Sequence, residues 1–184
     1  MVQKLKRVKR ELVRKGTIVD MYADHIEMPD GKTVIWDYIE HRKGAAAVLA
    51  VLPDGKIIMV RQYRNALDRI TLEIPAGARD DVSEDTAVCA KRELEEETGY
   101  VCGKLEKLLS LKSTVAFCNE FIDVYLATEL TPGKQNLDED EYIDLVACDL
   151  SELCEKVYAG EIQDAKTVAA ILAYANRKQP LTQE

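Results

Sequence analysis

The run Glu84–Thr98, EDTAVCAKRELEEET, constrains this 184-residue chain more than any other stretch. Its pattern predicts one helix, with Ser83 as N-cap and Glu84 and Asp85 in a first turn where the helix dipole favours acids. Gly99 stands at the position that commonly closes a helix in the left-handed conformation. At 3.6 residues per turn, Glu93, Glu96 and Glu97 share one face, while Ala87, Ala90 and Leu94 line another that can pack inward. Like charges three and four residues apart cost a helix roughly 0.2–0.5 kcal/mol per pair. Either this is a solvated acidic face or a cation sits among the carboxylates, and hard oxygen ligands suit Mg²⁺ or Mn²⁺ better than zinc.

The length suits one domain of ordinary size, and 47% hydrophobic residues can build a core. A formal charge of −8 argues against nucleic acid as a general partner. The longest apolar runs, such as Ala45–Leu52, are far short of the roughly 20 residues that span a bilayer, so a soluble, cytoplasmic protein with no membrane partner is expected. Five cysteines without a CxxC pair, beside two histidines, make neither a disulfide framework nor a zinc site; they read as small core hydrophobes, with redox sensing as the alternative.

Residues 4–15 carry seven basic side chains against the single acid Glu11, with Leu5, Val8 and Leu12 interleaved at helical spacing. A nucleic-acid arm, a membrane-surface helix and a plain surface segment leading into a strand are all compatible with it. Strands are predicted for Gly16–Tyr22, Ala23–Met28 and Thr33–Glu40, the last two joined by the Pro29-Asp30-Gly31-Lys32 turn. Within them the lone Trp36 is either a core residue or a stacking platform. After a break at 41–44, Ala45–Leu52 and Lys56–Tyr63 read as a hairpin, so a boundary falls between an N-terminal β unit, 1–43, and the main domain, 44–184. The hairpin ends in Arg61-Gln62-Tyr63-Arg64, a solvated rim or a pair of guanidinium forks for phosphate. Strands over Val101–Lys112, Glu120–Glu129 and Tyr142–Cys148 and helices over Ser151–Ala159, capped by Ser151, and Asp164–Arg177 complete the chain. No P-loop, GxGxxG or GxSxG motif is present.

The spacing Glu84-x7-Arg92-Glu93-Leu94-x-Glu96-Glu97-x-Gly99-Tyr100 resembles the signature box of the Nudix hydrolases, which cleave nucleoside diphosphates linked to another moiety. One departure stands out: six residues rather than five separate Gly77 from Glu84. The segments RQYR, Leu72-Glu73-Ile74-Pro75-Ala76-Gly77 and DAKTVAAILAY resemble the ADP-ribose and nucleotide-sugar branch of that family. Together the likeness covers roughly residues 16–177.

The resemblance implies an α/β/α sandwich with a mixed sheet, preceded by a small N-terminal antiparallel β unit. It implies a Mg²⁺-dependent pyrophosphatase, with Mn²⁺ as a possible substitute, acting on ADP-ribose or a related nucleoside diphosphosugar. Glu93, Glu96 and Glu97 match the metal-holding positions, with the carbonyl of Ala76. Arg61, Arg64 and Glu73 match or flank the positions that contact substrate, and Trp36 the aromatic that sandwiches the base. The catalytic glutamate of this branch sits on the loop before the last strand, where Glu141 fits better than Glu139. Arg92 is expected to fix carboxylates rather than touch substrate, and a homodimer sharing N-terminal strands is expected. Ser113–Asn119 lacks a Pro-Gly turn common in ADP-ribose hydrolases, which leaves GDP-mannose or another nucleotide open as substrate, and an inactive nucleotide-binding module as a further reading.

Overall fold

The computed structural model describes residues 2–139 and 141–178. Three strands, β1 (Lys6–Lys15), β2 (Val19–Glu27) and β3 (Thr33–His41), form an antiparallel sheet in the order β1-β2-β3. The segment expected to hold two strands, 16–28, holds one, β2, and the basic segment before it is itself a strand. Its apolar residues sit at helical spacing, but Val8 and Leu12 stay exposed. What holds β1 is the backbone ladder and the acids of β2: Arg10 pairs bidentately with Asp24 at 2.6 Å and stacks 3.7 Å over the Tyr38 ring, and Lys6 meets Glu27. Four of the seven basic side chains, Lys6, Arg7, Lys9 and Arg10, are thus paired with acids of the sheet.

The second sheet has seven strands: β4 (Ala45–Val51), β5 (Ile57–Arg64), β6 (Arg69–Glu73), β7 (Ala76–Ala78), β8 (Tyr100–Lys112), β9 (Phe121–Pro132) and β10 (Ile143–Cys148). Its main path runs β10-β5-β4-β9-β8, with β6 on β5 and β7 on β4; only β4 and β9 pair in parallel, so the sheet is mixed as expected. Strand β4 reads AAAVLAV because both of its faces are covered. Helix α1 (Thr86–Thr98) packs Cys89, Ala90 and Leu94 on Ala46, Val48 and Ala50. On the other face, helices α2 (Leu150–Tyr158) and α3 (Ala165–Lys178) bring Leu153, Ile171 and Tyr174 against Leu49, Ile57 and Met59. This is the α/β/α sandwich, with side chains such as Leu49 and Leu94 fully buried and each stabilising the fold by about 1.5–3 kcal/mol. Cys89 and Cys148 are in these cores, and the other three cysteines are half-buried.

Two caps differ from expectation. Helix α1 starts at Thr86, and Asp85 is its N-cap, accepting the Ala87 N–H at 2.7 Å. Ser83 is held in the preceding loop by Asp81, whose carboxylate takes both its N–H and its hydroxyl. For α2 the N-cap is Asp149, without a side-chain bond, in place of Ser151. Gly99 ends α1 as expected, at φ 71° with its N–H on the Glu95 carbonyl. The first turn of α1 is tied to the sheet by Thr86, whose hydroxyl donates to the buried Asp123 at 2.8 Å. Burial opposes charge on Asp123, but Lys107, Ser110 and Thr86 together hold its carboxyl below the usual range. Among the described residues no helix is long and apolar enough to cross a membrane.

Candidate active site

The site forms where α1 passes β7, the short strap of residues 76–78. Gly77 in that strap lies so close to α1 that a Cβ there would collide with the carboxyl of Glu93. The missing side chain lets the Glu93 carboxyl lie directly against this backbone, so the acidic helix face and residues 76–78 meet. The Ala76 N–H donates to Glu97 Oε2 at 3.0 Å.

Arg92 organises the carboxylates. Its guanidinium donates to Glu93 at 2.6 Å, to Glu96 at 2.9 Å, to both oxygens of Glu84 at 3.3 Å and to the Ala78 carbonyl at 3.0 Å. With so many acceptors held at once, Arg92 fixes the helix face as expected. The extra loop residue leaves this arrangement intact. Arg79 reaches back to the Val82 and Glu84 carbonyls, and Glu84 accepts the Asp80 N–H at 2.7 Å.

Glu93 and Glu97 are buried, at 7% and 2% exposure, whereas Glu96 is half-exposed. Burial pushes the Glu97 carboxyl up to about 8; the charges of Glu93 and Glu141 add to this, and the Ala76 N–H and Arg64 oppose it. Burial likewise raises Glu93 to about 7 against the pull of Arg92, with Glu96 and Glu141 pushing the same way as burial. Both carboxyls therefore feel Glu141, which is half-buried on the loop before β10 and accepts the Asp138 N–H at 3.2 Å. Glu139 is exposed.

Among the described residues no group of three or more His, Cys, Asp or Glu side chains is arranged to hold a metal ion as the side chains stand. The donor chemistry nevertheless fits one. Each of Glu93, Glu96 and Glu97 has one oxygen outside the bonds to Arg92 and Ala76 among the described residues. Two buried carboxyls of raised pKa, the charge of Glu93 adding to the rise of Glu97, suit with the free oxygens of all three glutamates a divalent cation that takes hard oxygen ligands.

Arg64 faces this cluster from β5, and it and Glu97 act on each other electrostatically. It lines a cavity of about 360 Å³ together with Ala76, Gly77, Lys112 and Lys166. Glu73 holds it by two parallel bonds, 2.8 Å from Nε and 2.7 Å from Nη2. The same carboxylate accepts Thr71 Oγ1 at 2.7 Å and Lys166 Nζ at 2.6 Å, so both of its oxygens are doubly engaged. Burial opposes its charge, but Arg64 and Lys166 pull its pKa down to about 2. Arg61 is exposed on β5 and lines a larger cavity of about 660 Å³, which Arg64, Glu73 and Lys166 line as well. Between them Gln62 has a fully buried Nε2 with no hydrogen-bond partner among the described residues.

Trp36 is not a core residue. It is 49% exposed on β3 and, with Ile35, Ile39 and Phe117, lines a cavity of about 590 Å³. Sequence reasoning missed Lys166, Asp164 and Thr167 as site residues; their signal was the DAKT run at the start of α3, but nothing in it names Glu73 as the partner.

A family model for the NUDIX domain matches residues 41–171. The chain belongs to the Nudix family. It is 40% identical over 178 residues, 96% of this chain and 95% of the relative, to an ADP-ribose pyrophosphatase of Bacillus subtilis (strain 168). It is also 41% identical over 169 residues to a methanol dehydrogenase activator of Bacillus methanolicus, covering 90% of each. A solved structure described as that of an ADP compounds hydrolase shares its fold, with a TM-score of 0.87 at 20% identity over 98% of both chains. The chain is a Nudix hydrolase.

Proposed function

We propose that this Nudix hydrolase cleaves the pyrophosphate bond of ADP-ribose or a related nucleoside diphosphosugar in a divalent-metal-dependent reaction, giving for ADP-ribose AMP and ribose 5-phosphate. The observation that carries this reading is the opposition of buried Glu93 and Glu97 on α1 to Arg64 on β5 across the 76–78 strap. Acids that suit a cation, facing an arginine that Glu73 orients while leaving one edge of its guanidinium open, suit a metal-bound diphosphate.

Glu93, Glu96 and Glu97 with the Ala76 carbonyl would hold Mg²⁺, or Mn²⁺ in its place. When bound, such a cation neutralises the charge of the diphosphate and of its leaving oxygen. Arg64 pairs with phosphate oxygens through the edge of its guanidinium that Glu73 leaves open, and Glu73 acts on substrate through Arg64. Arg61 supplies a second guanidinium at the strand end. Glu141 takes the proton of the attacking water, with Glu139 as the weaker candidate because it is exposed. Trp36 stacks on the base from the N-terminal β unit, residues 1–43, outside the hydrolase domain, 44–184. In this reading the protein works in the cytoplasm as a homodimer through that unit, and sedimentation at the monomer mass would refute the dimer.

The substrate is tested by a product-resolved screen of ADP-ribose, GDP-mannose and other nucleotide sugars with Mg²⁺ and with Mn²⁺. ADP-ribose is expected to have the highest kcat/KM. GDP-mannose as the better substrate would move the chain to the other branch, and binding without products would make it a nucleotide-binding module.

A change in the strap tests the metal cradle. Gly77→Ala is expected to fold, with a loss of about 1–3 kcal/mol from overpacking. Because the added methyl displaces the Glu93 carboxyl, the Mg²⁺ concentration for half-maximal activity should rise about tenfold or more, in proportion to lost metal binding. An unchanged Mg²⁺ requirement would remove Glu93 from the metal set.

A further inference from the structure

We propose that Lys166 is a positioning residue for this reaction, acting from the C-terminal helix through Glu73 to fix the guanidinium of Arg64 in the cleft. The inference deepens the pyrophosphatase reading and rests on it. Lys166 lies 93 residues from Glu73, is 8% exposed, and is held at both ends of its reach: Nζ donates to Glu73 Oε2 at 2.6 Å and to Asp164 Oδ2 at 2.9 Å.

The geometry makes Glu73 a junction. Four donors, two from Arg64 and one each from Thr71 and Lys166, account for about four lone-pair positions of one carboxylate. A carboxylate held by a single arginine can pivot; one also tied to Thr71 on its own strand and to a buried ammonium on another element cannot. Its two oxygens in turn define the plane in which the Arg64 fork must lie. Lys166 also supplies the second positive charge beside Glu73, so that the carboxylate does not neutralise Arg64 unaided.

The next residue makes a parallel hook. Thr167, fully buried, accepts the Ile74 N–H at 3.0 Å and donates to Asp164 at 2.6 Å. The first turn of α3 therefore grips residues 73 and 74, immediately before the strap whose Ala76 N–H bonds Glu97. The two hooks have separable effects: Lys166 acts on the arginine side of the cleft, whereas Thr167 acts on the strap.

The test is kinetic. In Lys166→Met, which keeps the length of the side chain and removes the charge, KM for ADP-ribose should rise about ten- to a hundredfold through misplacement of Arg64. The Mg²⁺ concentration for half-maximal activity should not change. Lys166→Arg should recover most of the loss, and in an Arg64→Ala background Lys166→Met should add less than about twofold, since residues acting through one partner are not additive. If the methionine variant does not fold, Lys166→Gln, which retains a buried donor, is read in the same way. Equal losses in both backgrounds, or an unchanged KM in a folded variant, would overturn the proposal. Calorimetric titration with inorganic pyrophosphate, comparing wild type, Lys166→Met and Arg64→Ala, separates the two readings. If no nucleotide sugar is hydrolysed, weaker pyrophosphate binding in both variants still supports positioning, and unchanged binding refutes it.

Discussion

Glu97→Gln is expected to lower kcat by about 10²–10⁴, the equivalent of the several kcal/mol that a metal-held charge contributes at 1.36 kcal/mol per factor of ten. Glu97 is the most deeply buried acid of the helix face and receives the Ala76 N–H, so it joins the metal set to the strap. Glutamine keeps the shape, and its carbonyl oxygen can still accept that N–H. What it lacks is the charge. The fold should therefore survive, and in EDTA at pH 8 the variant should melt no lower than wild type, because a neutral amide suits a buried position better than an ionised carboxyl. Steady-state assays with ADP-ribose beside thermal melts check both halves. Wild-type turnover in a folded variant would remove Glu97 from the chemistry.

The second large effect is on stability. Burial lifts the folded-state pKa of Glu93 to about 7 and of Glu97 to about 8, from an ordinary glutamate value near 4.5. A group with a raised folded pKa binds more protons folded than unfolded. Its contribution is fully present below the unfolded value and is lost as pH rises through the folded one. In EDTA the melting temperature should therefore fall between about pH 4.5 and pH 8. Adding Mg²⁺ should reverse this, and more strongly at pH 8 than at pH 6, because Glu93 is then largely ionised and Glu97 about half so. At a hundredfold excess over Kd the gain is about 2.7 kcal/mol. At about 2–4 °C per kcal/mol for a chain of this size, that is a rise of about 5–10 °C. Differential scanning fluorimetry across this range, with and without Mg²⁺, reads it. A melting temperature that climbs with pH in EDTA would show that these two carboxyls do not govern the apo protein.

Much of the fold is written in local periodicity. The uninterrupted apolar runs of β4 and β5 and the apolar positions of α1 and α3 at 3.6-residue spacing are local patterns that sequence displays directly. The basic segment of β1 was ambiguous for the same reason: spacing of three and four allowed a helix, while pairing with the acids of β2 made a strand. The caps were misplaced because a side-chain oxygen at 83 or 85 serves equally well on paper, and only the path of the longer loop chooses Asp85.

By itself, then, the sequence determined the helix that carries Glu93, Glu96 and Glu97 on one face, since three- and four-residue spacing fixes that geometry wherever the helix packs. Tertiary structure alone decided which of those acids are buried, that Gly77 must admit Glu93, and that Glu73 serves Arg64 under the hold of Lys166. Burial and long-range ion pairing depend on which elements meet across the sheet. That is a property of the packed chain, and no local pattern in residues 73 or 166 encodes it.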